Sequence, residues 1–195
     1  NMPNANIATG LTPKRYRGGA PFVGPLRRYV HLAADSTALY IGDPVILSGT
    51  ADADGTPSVI RATAASAGRI TGVVVGFEPN ATINAAGYGA ASTLFYPLVC
   101  DDPAVLYEIQ EDSVGGALAV TSVGLNADLI AAAGNNATKQ SGFMLDSSTA
   151  ATTATLQLRV VQLEQRADNE IGANAKWLVA INLPTETGAA GSTGV

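Results

Sequence analysis

Thiol and imidazole are almost missing from this chain: 195 residues hold one cysteine, Cys100, and one histidine, His31. A single cysteine excludes an intrachain disulfide. The same counts exclude zinc sites built on Cys/His spacing. A Ser–His–Asp arrangement could form only through His31, and no Gly-x-Ser-x-Gly elbow occurs. No Gly-x-x-x-x-Gly-Lys loop is present to cradle phosphates. No run approaches the ~20 apolar residues of a membrane span. Aromatics make up 6% of the chain, few for a sugar-binding platform, and Trp177 alternates with core-type neighbours, so it is expected in the core. Charged residues are also sparse, at 14%. Long Lys/Glu/Leu-rich stretches are absent, which argues against a helical bundle.

What is present is apolar and rich in turns. The chain is 47% hydrophobic and has 21 glycines, with abundant Ala and Thr. Short β-type runs recur between turn signals, at 27–34, 38–47, 57–65, 69–80, 92–100, 104–110, 155–166 and 175–183. Asp-Ala-Asp-Gly-Thr at 52–56 reads as a turn. Gly72 and Gly76 predict a bulge or close packing, and Pro97 predicts an edge or bulged strand. Val105, Tyr107 and Ile109 share one face of a strand, as do Trp177, Val179 and Ile181. Alternation likewise groups Leu156, Leu158, Val160 and Gln162, with Gln157, Arg159, Val161 and Leu163 opposite. Residues 117–124 could form one short helix. The expected fold class is all-β: a single small β-barrel or jelly-roll-like sandwich over residues 29–183, with a flexible tail over 184–195.

Charge is divided unevenly. Residues 1–34 carry Lys14, Arg15, Arg17, Arg27 and Arg28 and no acid, a formal charge of +5; the rest carries 6 basic and 16 acidic residues, or −10. Residues 1–28 are also dense in Pro and Gly, so they can hardly be helix or central strand. They are expected to form an extended basic arm that lacks enough apolar burial to order alone. The five cations are its candidate partner-binding residues. Spread over fifteen positions ahead of an acidic body, they are weak support for nucleic-acid binding.

The stretch Asp101–Ser113 concentrates five carboxylates: Asp101, Asp102, Glu108, Glu111 and Asp112. Its two acidic ends lie about nine residues apart, roughly 30 Å along a strand. Glycosidase carboxylate pairs need roughly 5–10 Å. Calcium requires several oxygens from one loop. The expectation is therefore solvated strand ends, with Glu108→Gln and Asp112→Asn leaving stability nearly unchanged. Cys100, in the apolar run 95–100, is expected to be buried and inert, and His31 to be a structural or surface histidine. Catalytic residues, metal and cofactor are all expected to be none.

Five phrases stand in order: IGDPVIL, ITGVVVGFEPN, DDPAVLYEIQEDS, VGLNADL and the long segment from Leu145 to Asn182. Together they resemble the cement, or decoration, proteins of tailed bacteriophage heads, over roughly residues 38–182. That resemblance implies a small β domain on the outer surface of an icosahedral shell, clamping neighbouring capsomers. It implies the major capsid protein and the chain's own copies as partners, a homotrimer being favoured over a dimer, with no nucleic acid and no membrane. Synthesis would be in the host cytoplasm. It implies no catalytic residue. The contact role of Lys14, Arg15, Arg17, Arg27 and Arg28 comes from charge alone, because the arm lies outside the resemblance. The alternative reading is a receptor- or glycan-binding β module, such as a head fibre or adhesin.

Overall fold

The computed structural model describes residues 4–187 and 190–195. Among these residues twelve strands form: β1 Thr12–Tyr16, β2 Arg27–Arg28, β3 Pro44–Ala51, β4 Pro57–Arg61, β5 Gly72–Phe77, β6 Pro97–Cys100, β7 Val105–Gln110, β8 Asn126–Ala127, β9 Leu129–Ile130, β10 Met144–Leu145, β11 Leu158–Leu163 and β12 Lys176–Ile181. One six-residue helix, α1 Ala81–Ala86, joins β5 to β6. All eight predicted runs contribute to these strands, and the strand pairings are antiparallel. The class is all-β, as the patterning predicts.

The strands divide between two five-stranded sheets and a two-stranded ribbon. The sheet ordered β2-β6-β5-β3-β4 closes through residues 27–31. Tyr29 and His31 donate their N–H groups to Pro97 and Phe95 on the β6 side. Val30 donates to Pro57 and accepts from Val59 on the β4 side. The ladder thus returns, through a bridge between Val30 and Ser58, to the segment where it began. Tyr29, Val45, Val59, Val74, Phe95 and Val99 form its inner cluster.

The second sheet, β1-β7-β12-β11-β8, turns back in the same way. Beyond β8 the chain enters β9, which pairs with β10. Leu145 of β10 then bridges Glu111, just past β7, and accepts the Asp112 N–H. Its buried cluster contains Val105, Tyr107, Ile109, Trp177, Val179 and Ile181, the two faces predicted by alternation. The same cluster includes Val73 and Cys100 from the other sheet, with Ile70 just ahead of β5, so one apolar core spans both.

Local irregularities have identifiable causes. Gly72 allows close strand approach: a Cβ there would lie 2.4 Å from the Cys100 carbonyl oxygen. The register of β5 against β6 shifts between Val74 and Gly76. Pro97 opens β6 opposite that irregular strand, where its missing N–H is tolerated, although β6 is flanked on both sides. A bulge between Val160 and Gln162 corrects the simple alternation read for β11: Leu163 pairs with Trp177 and joins the Leu158–Val160 face. Asp52 organises the 52–56 turn by accepting N–H bonds from Asp54 and Thr56, which hold its carboxyl below the usual range. The expected helix at 117–124 is only a 3₁₀ turn, Val120–Ser122. Helix α1 was not anticipated, yet its ends follow local rules: Asn80 caps Ile83 N–H, and Gly87 closes it in the left-handed region.

The expected free N-terminal arm requires correction. β1 lies along β7, from Thr12 opposite Glu108 to Tyr16 opposite Val105. Leu11 is buried, and its N–H reaches the Gly42 carbonyl. The chain then doubles back, with Tyr16 donating to Ala20 and Phe22 to Lys14. Upstream, Ile7 N–H binds Gln110 Oε1, and Asn4 exchanges hydrogen bonds with Glu170. Pro13 is compatible because β1 is an edge strand. The unpaired edge of β7 supplies the hydrogen bonds, and the core admits Leu11; together they offset the ordering cost. The tail is also anchored over 190–195: Val195 N–H binds Gly124 O, and Arg159 donates to Ser192 and Thr193 carbonyls. Gly188 and Ala189 of the expected tail lie outside the described residues.

Candidate functional site

The carboxylates of Asp101–Ser113 are engaged, not solvated strand ends. Asp101 accepts the Tyr29 hydroxyl at 2.7 Å and pairs with Arg27 at 3.1 Å. Burial and this carboxylate both raise the Tyr29 phenol. Asp102 accepts the Ala104 N–H in its turn. Glu108 is 6% exposed and lies between Lys14, at 3.3 Å, and Arg166, at 3.1 Å. Asp112 accepts both the N–H and the hydroxyl of Ser147, and the N–H of Val114. All six residues of β7 are buried. The alternation read correctly which residues face the core, but it missed the cover on the opposite face. β12 and β1 flank the strand, Leu178, Ala180 and Val161 pack around Leu106, and Gln110 binds Asn6 and Ile7.

Glu111 is the least expected member of this group. It is fully buried where the ladder closes, its Oε2 accepts the Leu118 N–H at 2.7 Å, and its Oε1 has no hydrogen bond. Burial pushes its carboxyl up to about 6, against the opposing Leu118 and Ala175 N–H groups. Asp43 is similar. It is fully buried, accepts Tyr40 N–H at 2.8 Å and is raised by burial to about 6. Its neighbours Gly42 and Pro44 give a turn-type setting that does not announce a buried acid. These carboxylates do not converge, and among the described residues no group of three or more His, Cys, Asp or Glu is placed to hold a metal.

His31 is buried and stacks on Phe95 with centroids 4.3 Å apart. Its Nδ1 lies 3.0 Å from Thr93 O, and its Nε2 lies 3.0 Å from Thr37 O and 3.2 Å from Asp35 Oδ2. These are backbone and loop partners, with no nucleophile among them. Cys100 is buried under Tyr107, whose hydroxyl donates to its Sγ, and burial raises the thiol. Both side chains are packed in the interior.

Four of the five N-terminal cations meet carboxylates of their own chain. Lys14 pairs with Glu108, Arg15 with Glu164, Arg27 with Asp101 and Glu186, and Arg28 with Glu78. Arg28 also lies over the Tyr96 ring at 3.6 Å. Arg17 differs: it is exposed and lines a hollow of about 400 Å³ together with Arg159, Asn182, Pro103 and Pro184. Elsewhere, Val114, Val120 and Val123 project from one loop at 61%, 67% and 43% exposure. Sequence patterning could not distinguish these three valines from core residues.

Comparison with protein-family models, with curated proteins and with solved structures finds no match to this chain. Among the described residues, no helix is long and apolar enough to cross a membrane.

Proposed function

We propose that this protein is a structural decoration protein that binds the outer surface of an icosahedral phage shell and clamps neighbouring capsomers. The observation that carries the reading is where the resembling phrases fall. IGDPVIL enters β3, ITGVVVGFEPN contains β5, DDPAVLYEIQEDS contains β7, VGLNADL leads into β8 and β9, and the last segment contains β11 and β12. They therefore make up much of the two-ladder frame and are not confined to one loop. A frame whose terminal segments are hydrogen-bonded to it, with valines raised on the 114–123 loop, suits a protein that grips other proteins by packed contacts. Exposed ion pairs would add only ~0.2–1 kcal/mol each. Binding to several sites at once would raise avidity through effective concentration.

The test mixes the purified protein with undecorated, expanded heads and measures the mass of the product. Saturable binding at a fixed number of copies per capsomer is expected, and that number reports whether trimers or dimers bind. Absence of binding at micromolar protein would overturn this reading and direct the next experiment to a glycan screen.

A further inference from the structure

We propose that the hollow between Arg17 and Arg159 binds a carboxylate-bearing peptide segment of a partner protein. The proposed function enters only in naming the shell as the source of that segment.

Among the five N-terminal cations, Arg17 is the one without a carboxylate partner in the described residues, whereas Lys14, Arg15, Arg27 and Arg28 each have one. Arg159 is likewise without an acid. Its Nε donates to Asn126 Oδ1 at 3.0 Å, and one terminal nitrogen donates to the Ser192 and Thr193 carbonyls at 2.8 and 2.5 Å. All three acceptors are neutral, so they orient the guanidinium without cancelling its charge. Two like charges therefore line one concavity in a protein whose net charge is −5.

The nearby acids do not neutralise them. Asp101 is held by Tyr29 and Arg27, and Glu186 faces Arg27; Asp102 keeps its charge but binds the Ala104 N–H and forms no ion pair with Arg17 or Arg159 among the described residues. A carboxylate fits the two-pronged donor geometry of the Arg17 guanidinium, while Arg159, whose Nε and Nη2 already donate to the protein, would add a single donor, Nη1. Arg159 is already oriented, so less of its side-chain entropy is lost on binding. Pro103, Ile181, Pro184 and Ala190 provide apolar walls beside the charged groups. That mixture suits an acidic side chain on a peptide. Two cations on an acidic body are too few for the phosphate contacts through which a nucleic acid gains affinity.

Two measurements on the full chain test the site. In the first, a blocked glutamate-rich peptide is titrated against the ¹⁵N-labelled protein at low salt, with a glutamine peptide of equal length as control. The Nε–H signals of Arg17 and Arg159 should move saturably with the acidic peptide only, and Arg17→Ala should abolish the movement. Because Arg17 is exposed, that variant should melt like the parent. In the second, Arg17→Glu is compared with the parent on undecorated heads, with Lys139→Glu as a charge-matched control outside the hollow. Arg17→Glu should bind at least about tenfold more weakly, and the control should not. Unmoved arginine signals, or undiminished head binding by Arg17→Glu, would overturn the proposal. Peptide-induced shifts from a parent protein that ignores heads would uphold the pocket and remove the shell as its partner.

Discussion

Lys14 Nζ lies 3.3 Å from the carboxylate of Glu108, across the β1–β7 pairing, and Arg166 approaches the same carboxylate from the other side at 3.1 Å. A carboxylate that is 6% exposed is thereby held between two cations, each about one-third exposed at its side chain. The contact links the N-terminal segment to the middle of the sheet.

Glu108→Gln should therefore destabilise the fold, contrary to the expectation from strand alternation. The amide is nearly isosteric but removes the charge that both cations face. Complete burial would make such a loss cost several kcal/mol. Here the cations reach water and can rehydrate, so a loss of about 1–2 kcal/mol is expected. Urea unfolding at neutral pH measures it. An unchanged midpoint and slope would show that the pairing contributes nothing.

Glu111 makes stability depend on pH. Burial raises its folded-state carboxyl from 4.5 to about 6, so the folded protein holds this proton more tightly than the unfolded chain. Stability from this group is greatest below the unfolded value, falls as pH rises through about 4.5 to 6, and stays at the lower level above that. Asp43 should act in the same direction over about 4 to 6. Glu111→Gln removes the Glu111 contribution alone. At pH 8 it should be more stable than the parent by up to about 2 kcal/mol, and the advantage should vanish near pH 4. Denaturation curves collected across this range check the prediction, and parallel pH profiles for the two proteins would refute it.

Removing residues 1–17 should damage the fold and not merely free an arm. The deletion removes β1, uncovers one edge of β7, and takes Leu11 out of the core. Loss of a buried leucine side chain alone costs ~2–5 kcal/mol. The truncated protein should melt at lower temperature, with faster hydrogen exchange at the β7 amides that face β1. Parental melting and exchange would mean that the docked segment adds no stability.

Much of the frame was legible because apolar alternation and turn chemistry are local. Val105, Tyr107 and Ile109 share a face by the geometry of any strand, and Asp52 with Gly55 makes a turn without help from the rest of the chain. Leu163 was misplaced because a bulge adds one residue to the count, and the Val160–Gln162 run carries no Gly to announce it. The arm was misread because Pro and Gly density reports what a segment cannot do by itself. It does not report the open edge of β7 that waits for it. For the candidate site, charge counting identified five cations, yet it could not separate Arg17 from the four that face their own acids, nor pair it with Arg159.

From the sequence alone came the all-β class, the positions of eight strand regions, and the restriction of thiol and imidazole chemistry to Cys100 and His31. These follow from residue type and short-range periodicity. Only the tertiary structure decided that the strands form two closing ladders, that residues 27–31 seal one of them, and that Glu108 and Glu111 are buried. Closure and burial depend on which distant segment covers an edge or a face. That outcome is set by the packing of the whole chain, and no local pattern carries it.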